Sequence, residues 1–241
     1  MSDDSKLDPY RGTLNPFQIA EGIRCVKING ARLFKDAETL YELKRFPSAS
    51  SMAILAIEEF GKVPILRRMA LANSPEEWKA CWKDFSNHLP KSLHWTVPFL
   101  IKNSEKTTED KYRLFKEKKE PELLNSLKQL GFYVGCYAKA HWALPDKVIE
   151  QENADVAMNS ARIVSLASQP SPYDAPSAVQ EWAKQMVGCY SVDYITANNK
   201  VVEFLKALSK DHERKIPPEV SFEFVSTVMY LSENVATPST V

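Results

Sequence analysis

The stretch Ser48–Leu71, SASSMAILAIEEFGKVPILRRMAL, is almost continuously apolar yet carries Glu58, Glu59 and Lys62 near its centre. Read as a helix turning roughly 100° per residue, it puts Met52, Leu55, Ala56, Val63 and Leu66 on one face with Glu59 among them. Ala53, Ile54, Ile57, Phe60 and Ile65 cover most of the remaining circumference. That is the pattern of a helix packed on several sides by others. A carboxylate on such a face needs a cation or a proton. Glu58 and Lys62 lie four apart on one flank and are spaced to pair with each other, which sends Glu59 to another helix for its partner. Gly61 permits a close approach, and Pro64 removes the bond its N–H would make to the carbonyl of Phe60, so a kink is expected. The plain alternative is a buried helix whose glutamates reach solvent.

The rest of the composition agrees with helices. Only 7 glycines and few alternating Val/Ile/Thr runs argue against sheet. A chain of 241 residues buries a sizeable core, as one large domain or one domain with an appendage. Its 31 basic residues offset 31 acidic ones, so overall charge recruits neither nucleic acid nor membrane, and any such binding is local. Cys25, Cys81, Cys136 and Cys189 stand singly and read as reduced core thiols of a cytoplasmic protein. The start, MSDDSKLDPYRG, lacks the apolar run of a signal peptide, and no stretch approaches the roughly 18 apolar residues of a membrane span. No membrane association is expected.

Residues 1–14 read as a flexible arm. Asn15-Pro16 offers an N-cap followed by proline at the first helical position. Ile19, Ile23, Val26, Gly30, Leu33, Ala37 and Leu40 then recur at spacings of four and three. Beside this row lie Arg32 and Asp36, an i,i+4 pair that reads as a surface salt bridge. The competing reading makes Arg32 the cation Glu59 lacks, because the short Lys44–Pro47 turn forces the two helices antiparallel. Ser74-Pro75-Glu76-Glu77 is a capping box, and Trp78, Cys81, Trp82 and Phe85 form the face behind it. His88 extends that face by about one turn. Pro90 stops the helix there, where the helix dipole favours a protonated imidazole, and Lys91 follows. A histidine at a helix end beside a lysine is suited to acid–base work and to holding a phosphate; the plain alternative is a structural histidine.

Residues 92–103 are apolar without a clear period, and about 102–122 turn highly charged with mixed sign, a solvated helix or insertion rather than a nucleic-acid tract. After Pro121, Leu123, Leu127, Leu130, Val134 and Tyr137 form a helical row interrupted by Gly131 and Gly135. Pro145-Asp146 opens a further helix with Ile149, Val156, Ile163 and Leu166. His141 has no Cys, Asp or Glu at ligand spacing and reads as structural. Gln169–Pro176, with three prolines, is the linker candidate. Shorter helices over Val179–Tyr190, Val192–Leu208 and Pro218–Leu231 follow within a 177–233 segment that either packs on the same core or stands apart, and 234–241 reads as a disordered tail.

There is no GxxxxGK[ST], no GxGxxG and no HExxH, and neither Glu58 nor Glu59 has a histidine three residues on. No metal, nucleotide or other cofactor is therefore expected. No GxSxG or Cys-His pairing supports a covalent nucleophile.

NGARLFKDAETLYELKRFPSASSMAILAIEEFGK, then FSNHLPK, then LGFYVGCYAKAHWALPDKVI resembles the AbiV-type abortive-infection family of the HEPN superfamily over about residues 15–169. The resemblance implies an all-α, up-and-down helical bundle with additional C-terminal helices, commonly a homodimer, in a phage-defence protein. Many members of the superfamily are ribonucleases whose signature is Arg, four to six residues, then His. The nearest match here is Lys83, four residues, His88; lysine supplies charge without arginine's planar fork. Carried onto this chain, metal-independent RNA cleavage would use His88 as acid and base. Lys91, with Lys83 or Lys62, would contact the phosphate, and Glu59 would orient them, with Glu58, Arg32 and Asp36, like Lys83, as substrate-binding residues. The other reading is a non-catalytic helical module that binds a phage or host protein.

Overall fold

The computed structural model describes residues 8–87, 119–191 and 194–211, together with Glu223, Phe224 and Thr227. Helix α1 spans Pro16–Glu42, α2 Phe46–Phe60, α3 Lys62–Met69, α4 Pro75–Ser86, α5 Lys119–Phe132, α6 Pro145–Val148, α7 Gln151–Ala167, α8 Pro176–Gln185 and α9 Tyr194–Asp211. The fold is all-α, as the sequence indicates. Its one departure among the described residues is an antiparallel hairpin of β1, Gly135–Tyr137, and β2, His141–Ala143. The row expected to continue as helix through Val134 and Tyr137 instead ends at Phe132, where two glycines of poor helix propensity flank a Tyr-Val pair that favours extended chain.

Local chemistry fixes the helix starts. Asn15 Oδ1 accepts from the Gln18 backbone N at 3.0 Å while Gln18 Oε1 accepts from Asn15 N at 2.9 Å. The same reciprocal box joins Ser74 and Glu77 at the start of α4. Three residues separate α1 from α2, with Lys44 in the left-handed region at φ 57°, so the two helices run antiparallel. Gly30 lets them close: a Cβ there would stand 2.7 Å from the Phe60 ring. The break between α2 and α3 falls at Gly61, three residues before Pro64. Proline in the first turn of α3 is tolerated because the N–H groups there are unpaired within the helix in any case.

Two apolar cores lie along α1. The first joins Ile19, Ile23 and Val26 to α3, to Cys81 of α4, and to Trp182 of α8, Phe204 of α9 and Phe224. The second joins Phe34 and Ala37 to α2, to Leu124 of α5 and to Ala157, Met158, Ala161 and Val164 of α7. The helices beyond Pro176 thus share a core with α1 and α3. In α7 the row Val156, Ile163, Leu166 faces solvent, correcting the face expected from side-chain size: the alanine row is the buried one, because small side chains let α7 lie close against α2. The linker candidate is likewise a packed turn, with Tyr173 buried. All four cysteines are free; Cys81 and Cys189 are buried, whereas Cys25 and Cys136 are exposed rather than in the core.

Candidate functional site

Helix α2 is wrapped by α1, α5 and α7, and beyond Phe46 at its start its least buried residues are Ser48, Met52, Leu55 and Glu59, one row at spacings of four and three. The sequence groups Met52, Leu55 and Glu59 correctly, but theirs is the outward face. The buried acid is Glu58, whose side chain is 5% exposed against 16% for Glu59. Reading Ser48–Leu71 as one helix carried the phase of Val63 and Leu66 back onto α2, and the break at Gly61 cancels that phase. Glu58 therefore pairs with Lys128 of α5, Nζ to Oε1 at 2.5 Å, rather than with Lys62. Glu59 pairs with Lys62 across the break at 2.7 Å. Arg32 gives nothing to Glu59: it donates to Asn29 Oδ1 at 2.9 and 3.2 Å and to Asp36 Oδ2 at 3.0 Å, an exposed cluster confined to α1. Such an exposed pair contributes a few tenths of a kcal/mol.

Lys62 Nζ lies 5.1 Å from the centroid of the Phe85 ring, a cation–π contact that brings the Glu59–Lys62 pair to the last turn of α4. Phe85 packs edge-on against Trp82 at 5.6 Å. On the far side of Trp82 is a groove of ≈ 490 Å³ lined by Arg11, Pro75, Lys79, Trp82, Lys83, Ser86 and Asn87. Among the described residues three cations line it and no carboxylate does. Lys79 and Lys83 share a face because they are four apart on α4. Arg11 joins them from the segment before α1, its guanidinium 5.7 Å from the Trp82 centroid, while Trp82 Nε1 donates to the Gly12 carbonyl at 2.9 Å. Of the residues singled out in the sequence, Glu59, Lys62 and Lys83 thus gather at the end of α4, Glu58 faces α5, and Arg32 and Asp36 stay on α1. His88 and Lys91 lie outside the described residues.

The family model HEPN_AbiV, described as AbiV, matches residues 18–165, more than half of the chain. The chain belongs to the AbiV family of HEPN proteins. It is accordingly of the abortive-infection type, and the match runs from the first turn of α1 almost to the end of α7. No curated protein and no solved structure shows significant similarity to it. No helix among the described residues is long and apolar enough to cross a membrane.

Beyond the AbiV match lie partners that sequence reasoning missed. Arg67 of α3 and Lys27 of α1, both buried, meet Asp174 and Glu223: Arg67 Nη2 stands 2.9 Å from Asp174 and 3.1 Å from Glu223, and Lys27 Nζ 2.9 and 2.8 Å from the same two acids. Arg67 also donates to the Tyr173 carbonyl at 3.3 Å and lies 4.1 Å from the Phe224 ring centroid. Its neighbour Arg68 holds Asp84 of α4, and beside it Tyr190 donates to the Glu77 carbonyl at 3.2 Å. Burial pushes the Tyr190 phenol well above its ordinary pKa. The signal was available: two arginines between Leu66 and Met69 sit where neither neighbour is polar. A second groove, ≈ 440 Å³ between α1 and Pro170–Pro176, has Lys27 and Asp174 in its lining. That pair already neutralises itself, whereas the α4 groove has three cations and, among the described residues, no acid in its lining.

Proposed function

We propose that this protein is an abortive-infection effector that acts on RNA, with the α4 groove as its hold on the phosphate backbone. The observation that carries this is the set of Arg11, Lys79 and Lys83 around Trp82, with no acid in the lining, directly before His88 in the chain. Cations neutralise phosphates and an aromatic wall accepts a base face. Cleavage in this reading is transesterification: the 2′-oxygen attacks phosphorus, a base takes its proton as the P–O2′ bond forms, and an acid protonates the 5′-oxygen as the P–O5′ bond breaks. His88 serves in the acid–base role, Lys91 and Lys83 hold the non-bridging oxygens, and Glu59 fixes Lys62 against Phe85. A homodimer, in which two such ends meet one RNA, belongs to the same reading.

The test is incubation of the purified protein with total RNA, comparing wild type, His88→Ala and the double charge reversal Lys79→Glu/Lys83→Glu. His88→Ala is expected to abolish cleavage while retaining RNA, and the double reversal to weaken retention at least tenfold and flatten its salt dependence. Cleavage that persists without His88 removes the proposed chemistry. A wild type that neither binds nor cuts RNA removes the RNA reading and leaves a helical module for a protein partner.

A further inference from the structure

The β1–β2 hairpin is built against the usual logic of a sheet. Its register pairs Gly135 with Ala143, Cys136 with Trp142 and Tyr137 with His141. Side chains alternate across a strand, so Cys136 and Trp142 share one face while Tyr137 and His141 share the other. Both faces are open: Trp142 is 74% exposed, Tyr137 50%, and Cys136 and His141 are exposed as well. Tyr133, Val134 and Leu144 continue the apolar surface at the hairpin base. Gly135 keeps this surface flat, because a Cβ there would lie 2.3 Å from the Tyr137 ring, which folds across it.

Among the described residues each strand pairs only with the other, so each has an edge of unpaired backbone groups. A two-stranded hairpin with no buried face is marginal in water. The tip adds cost, since Ala138 and Ala140 both hold positive φ, 46° and 61°. Over residues 132–144 the charged and titratable-cation groups are Lys139 and His141, with no carboxylate.

We propose that this hairpin is a docking edge for an extended segment of another protein that carries alternating apolar side chains and at least one carboxylate. The free edge supplies main-chain hydrogen bonds to an added strand, the aromatic face supplies pockets for alternate side chains, and Lys139 attracts the acid. The aliphatic share of the surface, Val134 and Leu144, and its small number of cations fit a peptide better than a nucleic acid. The proposal stands independently of what that groove does.

The experiment pans a displayed library of random linear peptides against the full chain and measures recovered peptides by calorimetry against wild type, Trp142→Ser, Tyr137→Ser and Lys139→Glu. Peptides with alternating apolar residues and Asp or Glu are expected, with affinity falling at least about tenfold in either aromatic variant and also in Lys139→Glu, at unchanged melting temperature. Recovery of no peptide, or peptides that bind Trp142→Ser as tightly as wild type, overturns it. A melting temperature several degrees lower in both aromatic variants shows that the chain itself covers the hairpin. Loss of binding to a fluorescent oligouridylate in Trp142→Ser, with peptide binding intact, makes the hairpin a base-stacking platform, and a changed sedimentation coefficient makes it a contact between copies; either overturns the proposal.

Discussion

The two ends of α1 are buried in opposite styles. Around its first half the core is made of large and charged side chains: Trp182, Phe204 and Phe224 stack on one another at 5.1–5.3 Å between centroids, beside two cations and two acids. Around its second half alanines, Ala37, Ala53, Ala56, Ala157 and Ala161, lie among Phe34, Ile54, Ile57, Phe60, Leu124 and Met158, and the buried charge described there is the single pair Glu58 with Lys128. Small residues bring helices close and make position depend on shape. The large, charged core instead makes position depend on complete partnering, since each buried charge is tolerable only while its counter-charge is present.

The difference sets the order of expected damage. Arg67→Met should be the worst, about 3–5 kcal/mol by chemical denaturation, because it leaves Asp174 and Glu223 with one cation between them. If it costs under about 1 kcal/mol, the first core does not depend on charge partnering and the contrast fails. Ala161→Leu should cost about 1–3 kcal/mol by forcing α7 away from α2. A neutral result would mean the second core is loosely filled. Smallest is an alkaline effect at Tyr190. Its folded pKa is raised by burial, so stability is intact below the unfolded value of about 10. Above that value the unfolded chain loses the proton first, and stability falls as pH rises. Tyr190→Phe should make the loss of melting temperature between about pH 9 and about pH 11 shallower than in wild type.

The two styles also explain what could be read in advance. Helix starts were legible because Asn15, Ser74 and Glu77 act through neighbours in sequence. The row Ile19, Ile23, Val26 was legible because α1 has one wet face. Helix α2 has almost none, so hydrophobicity could not tell Glu58 from Glu59, and only the break at Gly61 and the approach of Lys128 decide between them. In α7 the deciding residues are alanines, whose weak hydrophobic signal is outweighed by Val156 and Leu166 on the exposed side. Of the four-charge cluster only Arg67, one of two arginines in an apolar run, was legible; the acids that meet it were not, because Arg67 and Glu223 are 156 residues apart. Of the site, the approach of Glu59 and Lys62 to the end of α4 was not read from spacing, which paired Lys62 with Glu58 instead. Arg11 reaches the groove only through the turn of Gly12 onto Trp82.

The distance in sequence between Arg67 and Glu223 has a consequence for how the chain is made. At the usual 5–20 residues per second of synthesis, roughly ten to thirty seconds separate the emergence of the two. Throughout that interval the nascent polypeptide carries two cations with at least half of their counter-charge not yet translated, so the core around the first half of α1 settles only after Glu223 has emerged. A ribosome-bound nascent chain truncated before Glu223 would accordingly be digested by protease in its first half, and a completed one would resist.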